Sequence, residues 1–257
     1  AGARGPDIYE PVGGARAPAS ERAMSVADGR AEILAGIRAA LGGGPLERAR
    51  AAELQARLGA PRPGPVPARA QLDRPAQVEL FVAMAEEAAA TVTRVSGRAE
   101  VPAAVAGYLE AEGLPAEVKM APDPGLDDIP WKSQPLLRIS RGPAGDADAV
   151  SLTAAFAGIA ETGTCMLLSG PESPTGLTLL PETHIVVLRA GQVVGPYEEA
   201  WARLRRRNAV DGAWSMPRTV SLITGPSRSA DIEQTMQIGA HGPRRLHIVL
   251  VDGESGP

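Results

Sequence analysis

The chain has 257 residues, 44% of them hydrophobic, and a formal net charge of −4, enough for one large domain or one domain with an extension. That balance carries no basic excess of the kind a general nucleic-acid binder shows, and no run approaches the ~18 apolar residues of a membrane span. A single cysteine, Cys165, excludes a disulfide scaffold and any four-thiolate zinc or iron–sulfur site built from these residues alone.

In chain order, residues 1–23 are rich in Gly, Pro and Ala without apolar periodicity, and read as a flexible leader before Met24, a candidate natural start. Residues 24–70 read as a helical extension and linker. Ile33, Leu34, Ile37 and Leu41 share one face of a helix over 28–41, which Gly42-Gly43-Gly44 ends. A charged helical segment over 46–58 precedes the stiff, Pro-rich 61–67.

The main domain is expected over 71–257. The pattern predicts a helix over 77–90 with Leu80, Phe81, Met84 and Ala88 on one face, a strand over 92–95, a helix over 101–112 and a strand over 118–120. A strand over 150–153 leads to a short helix over 154–159 and a Glu161-Thr162-Gly163 turn. Strands follow at 164–168 and 184–189, the latter turning back through Arg189–Gln192 to pair with Val193-Val194. A helix over 197–207 and strands at 219–223 and 246–251 complete the set, with 164–168, 184–189, 219–223 and 246–251 expected in one sheet. Alternating α and β segments of this kind predict an α/β fold with a mostly parallel central sheet flanked by helices.

Chemistry concentrates in loops at strand ends. Ser227, Arg228 and Ser229 follow the 219–223 strand and precede a helical pattern; free N–H groups and a guanidinium there suit a carboxylate or phosphate. Equally, Ser229 serves as an N-cap, with Asp231 and Glu233 in the first turn and an Arg228–Asp231 pair. Glu161 is a candidate base or nucleophile, or an acceptor for the N–H groups of its own loop. Thr162 and Thr164 are candidate anion contacts or turn-forming hydroxyls. Of the three histidines, His184 and His247 sit at strand starts, whereas His241 lies in a tight Gly-Ala-His-Gly-Pro loop and is the candidate functional imidazole. No metal-ligand spacing occurs, Cys165 reads as a packed thiol, and the basic run Arg203–Arg207 reads as a solvated helix end. Neither nucleotide-binding glycine loop is present. The Glu161 turn, the Gly225–Ser229 loop and the His241 loop are expected to converge on one pocket.

The blocks GPSRSADIE (225–233) and GAHGPRRLHIVLVDG (239–253), the turn AETGT (160–164), the strand LLPETHIVV (179–187) and the opening helix RAEILAGIRAALG (30–42) stand in the order of one known family. Over about residues 24–253 the chain resembles the lactate-utilization protein C family (LUD domain). The resemblance implies a fold like that of sugar-phosphate isomerases and CoA transferases (NagB/RpiA/CoA-transferase-like). It also implies a cytoplasmic, non-redox subunit of a multi-protein system oxidising L-lactate to pyruvate, which binds substrate or assembles the complex. Such a subunit would carry no cofactor and no metal of its own, and iron–sulfur and Cys-rich partner subunits would supply the redox centres. A small carboxylate or phosphorylated ligand fits that role. The short E-x-G turn is also similar to that of CoA transferases, which leaves open a free-standing transferase-like or isomerase-like enzyme using Glu161; a ligand-sensing module is a third reading.

Overall fold

The structure is a computed structural model that describes residues 26–42, 46–60, 62–210, 213–232, 235–239 and 241–253. The expected leader, 1–23, lies outside the described residues. The chain divides into two units after residue 62. The first holds α1 (Val26–Ala40) and α2 (Arg48–Gly59). Ile33 and Ile37 of α1 are exposed, as is Leu41 just beyond it, and α2 has no buried residue.

The second unit opens with α3 (Arg74–Glu87). Asp73 caps it by accepting from the Ala76 N–H at 3.0 Å, and Pro75 fills the first turn, where no backbone donor is needed. Then come β1 (Thr91–Val95), α4 (Val101–Ala111), β2 (Glu117–Met120), β3 (Arg138–Arg141), β4 (Val150–Ala154), β5 (Ala157–Ile159) and β6 (Thr164–Leu168). They are followed by β7 (Thr183–Arg189), β8 (Val193–Val194), α5 (Tyr197–Arg207), β9 (Ala209–Val210), β10 (Ala213–Trp214), β11 (Val220–Ile223), β12 (Arg228–Ile232), β13 (Thr235–Ile238) and β14 (Arg245–Val251).

The central sheet has six strands in the order β1-β14-β7-β4-β2-β3, and every pair in it is parallel. Strands β7 and β14 read as unbroken apolar runs because both of their faces are covered. With a period of two, Ile185, Val187, Val249 and Val251 face α4, packing with Val105 and Leu109. Val186, Leu188, Ile248 and Leu250 point the other way, onto Phe81 and Ala85 of α3 and Cys165 and Leu167 of β6.

That second face carries a smaller sheet, β11-β6-β5-β8, which corrects the expectation of a single sheet. The runs 164–168 and 220–223 pair antiparallel with each other, Cys165 opposite Ile223, and form a separate layer over the 183–189 and 245–251 strands. Apolar content marks a strand as buried but does not say in which sheet. The small sheet is covered in turn by α5 through Ile159, Met166, Val194, Ala200 and Leu204.

Three further expectations are corrected. The stretch expected as a helix over 154–159 is β5, held between β6 and β8. Gly158 lets it lie close to the central sheet, since a Cβ there would stand 2.7 Å from Leu188 Cδ2 and 3.0 Å from Phe81 Cε2. Arg189–Gln192 is no hairpin: the Gln192 side chain accepts from the Arg189 N–H at 3.0 Å and donates to Ala155 O at 2.9 Å. That turn sends Val193-Val194 into the small sheet, parallel to β5. The helix expected after Arg228 is the antiparallel pair β12–β13, with Arg228 opposite Ile238. The alternation Met236-Gln237-Ile238 carries the period of a strand.

Candidate functional site

Glu161 to Thr164 form the turn between β5 and β6, tied to the start of α5. Gly163 adopts φ +64° and sits so close to α3 that a Cβ would lie 2.2 Å from the Ala85 nitrogen; only glycine fits both demands. The Glu161 N–H donates to Gly195 O at 3.1 Å, and its half-buried carboxylate takes no hydrogen bond from the described residues. Thr162 and Thr164 are bonded to each other at 2.6 Å and to the Tyr197 hydroxyl at 2.8 and 3.0 Å. Thr164 also meets the Thr224 hydroxyl at 2.6 Å. Each hydroxyl both donates and accepts, so the four form a self-satisfying cluster. This cluster joins the Glu161 turn to the start of the 224–228 loop.

In that loop Gly225, at φ +69°, packs against the Ala88 carbonyl, to which the exposed Arg228 guanidinium donates. Arg228 therefore caps the end of α3. The Ser227 N–H donates to Pro243 O at 2.9 Å, and its carbonyl accepts from the Gly239 N–H at 2.9 Å. Ser229 lies in β12, which overturns its reading as a helix N-cap; its side chain is outside the described set. Because Ala88 leads into β1 and Pro243 into β14, this loop lies at the amino ends of the central strands.

His241 is exposed and lines a different hollow, of about 640 Å³, with Leu179, Leu180, Glu182, Ile238 and Arg244. The structure thus brings the Glu161 turn to Thr224, and Ser227 to the loop before β14. The hollow beside His241 is not lined by Glu161 or Arg228.

The other two histidines are structural. His184 Nε2 bonds Thr153 Oγ1 at 2.8 Å, and burial pushes the ring down to about 3. His247 Nδ1 bonds Thr91 Oγ1 at 2.8 Å while its ring stacks on Tyr108 at 3.8 Å; burial lowers it to about 4. Burial also pushes the Cys165 thiol up to about 12, which leaves no thiolate near neutral pH. Among the described residues no cluster of His, Cys, Asp or Glu could hold a metal ion, and no helix is long and apolar enough to cross a membrane.

A cleft of about 900 Å³ opens at the carboxyl ends of the central strands. Arg98 follows β1, Asp123 follows β2, Phe156 follows β4, Arg189 closes β7, and Val251 closes β14, all on its wall. This is where parallel α/β sheets place their ligands. Arg203 and Arg207 of α5 complete the wall, their guanidinium carbons 5.7 and 5.4 Å from the Phe156 ring centre. Both fall in the basic run expected to be a solvated helix end. The missed signal is their four-residue spacing, which puts both on one face of the helix.

Residues 140–251, from β3 through β14, match the model of the LUD domain. Over this segment the chain is similar to the LUD domain. The matched segment includes the Glu161 turn, the 224–228 loop and the Phe156, Arg189, Arg203 and Arg207 wall of the cleft. An uncharacterized protein of Neisseria meningitidis is 37% identical over 125 residues, 47% of this chain and 46% of that protein. A lactate utilization protein C of Bacillus subtilis is 34% identical over 102 residues, 40% of this chain and 42% of that protein. The alignments therefore span less than half the length of these curated relatives. The crystal structure of a DUF162 family protein from Deinococcus radiodurans superposes with a TM-score of 0.50 at 27% identity, covering 70% of this chain and 99% of that one.

Proposed function

We propose that this chain belongs to the LUD-domain family and is a non-redox subunit of a multi-protein system that oxidises L-lactate to pyruvate, binding substrate or assembling the complex. The similarity to proteins named lactate utilization protein C carries the reading. Removing electrons from lactate needs a redox cofactor. The one cysteine of this sequence is buried with its thiol pushed up to about 12, so it is not a ligand on offer to a cluster. The redox centres then belong to iron–sulfur and Cys-rich partner subunits. In this reading Ser227 and Arg228 supply the anion contacts, Thr162 and the buried Thr164 hold the turn through the Tyr197 hydroxyl, and Glu161 or His241 moves protons. A strain lacking the gene should fail to grow on L-lactate and recover when the gene is returned. The purified chain should reduce no electron acceptor with L-lactate until the cluster-bearing partners are added; lactate oxidation by the chain alone would overturn the proposal.

The accessible carboxylate of Glu161 favours a second reading, a free-standing transferase-like or isomerase-like enzyme. Turnover of an acyl-CoA or a sugar phosphate, lost in Glu161→Gln, would establish it in place of the first.

A further inference from the structure

We propose that the cleft at the carboxyl ends of the central strands binds a small organic anion of at least two negative charges, held by Arg203 and Arg207 of α5 with Arg189 of β7 beside them. The inference goes beyond the lactate reading and does not depend on it. Guanidinium groups four residues apart on a helix repel, and here a third cation, Arg189, lines the same wall. Burial, then Arg74 and Arg189, lower the Arg203 pKa, with Glu199 opposing. Glu199 is itself shared with Arg74 at 3.8 Å.

Among the described residues, the N–H donors of Arg203 and Arg207 greatly outnumber their acceptors. Each guanidinium carries five N–H groups, and Arg203 places one at 3.5 Å from Gln192 O. Arg207 meets no carboxylate among the described residues, and the Phe156 ring beside both guanidiniums offers a π face and no lone pair. Arg189 donates its Nε–H to Gln192 Oε1 at 3.2 Å and lines the same wall.

Among the described residues, the acids lining the cleft form no ion pair with Arg203 or Arg207. The Asp123 carboxylate accepts from the Gly125 N–H at 2.8 Å, and Glu172 stands exposed on the 170–173 turn. Arg98 is bridged to Asp128 at 3.2 Å. Planar forks of this kind match carboxylate and phosphate oxygens two at a time. A cavity of about 900 Å³ is far larger than a three-carbon monoacid needs. Charge and size together select a phosphorylated or polycarboxylate small molecule.

Calorimetric titration of the full chain in low-salt chloride buffer with sodium pyrophosphate, citrate and L-lactate tests this. Pyrophosphate or citrate should bind at least about tenfold more tightly than L-lactate, a gap of about 1.4 kcal/mol. The tighter of the two names phosphate or carboxylate as the recognised group. Arg203→Gln and Arg207→Gln should each weaken that binding about tenfold or more without lowering the melting temperature, and Arg203→Lys should recover part of it. Arg207 is exposed, so its variant keeps the test readable should Arg203→Gln misfold. Absence of saturable binding by either polyanion, equal binding by wild type and Arg207→Gln, or L-lactate binding as tightly as either polyanion would each overturn the proposal.

Discussion

His184 and His247 enter the fold as neutral rings, each spending one nitrogen on a threonine hydroxyl and leaving the other, His184 Nδ1 and His247 Nε2, buried without a partner. Burial lowers them to about 3 and about 4, whereas an unfolded histidine titrates near 6.5. The unfolded chain therefore binds more protons once pH falls below about 6.5. The stability they contribute is complete above that value and is lost as pH descends toward the folded values. Each ring should cost about 1.4 kcal/mol per pH unit in that window. The melting temperature should fall steeply between pH 6.5 and 4.5, and His247→Phe, which keeps a ring against Tyr108, should flatten the decline. A pH-independent melting temperature over that range would contradict the neutral-ring assignment. Arg228 makes a second residue-scale case. Its guanidinium is exposed and donates to Ala88 O, so Arg228→Ala should cost about 0.5–1.5 kcal/mol. Lactate-dependent growth should nonetheless be lost if the loop meets substrate; full complementation would leave Arg228 as a helix-end contact alone.

At the scale of elements, the small sheet approaches α3 and the central sheet at two glycines of unequal tolerance. A Cβ at Gly158 would meet the ends of the Leu188 and Phe81 side chains, which can turn aside; Gly158→Ala should cost about 1–3 kcal/mol. At Gly163 the obstacle is the α3 backbone, 2.2 Å away, and φ is already +64°. Gly163→Ala should therefore destabilise more than Gly158→Ala in urea titrations, and the reverse order would mean that the turn can move off α3. Element type was largely readable: the predicted helices 77–90, 101–112 and 197–207 match α3, α4 and α5 to within a few residues. The errors cluster where a segment's partner is remote in sequence. Nothing within 154–159 reveals β6 and β8 on either side of it. Nothing within 189–194 reveals that Gln192 reaches back to Ala155 O. Around the candidate site, the placement of Glu161 and Ser227 in loops at strand ends was legible from residue type. The Arg203–Arg207 wall was not, because Phe156 and Arg189 reach it from other strands.

For the whole molecule, residues 1–23 lack the apolar periodicity that would offset the entropy of ordering them. Their deletion should leave the melting temperature nearly unchanged, and a drop of several degrees on thermal denaturation would show that they contribute to the fold. Composition and periodicity by themselves determined an α/β protein with a parallel core, a single inert thiol, and polar loops at strand ends. Those properties follow from local pattern, since a period of two or 3.6 and a Gly-Pro turn are written in adjacent residues. Tertiary structure alone decided that the 164–168 and 220–223 runs form a second layer. It also decided that Arg228 faces the amino ends of the strands, and that Arg189, Arg203 and Arg207 gather at the carboxyl ends. The reason is that burial and like-charge proximity are sums over residues far apart in the chain, and those distances are fixed only when the layers pack.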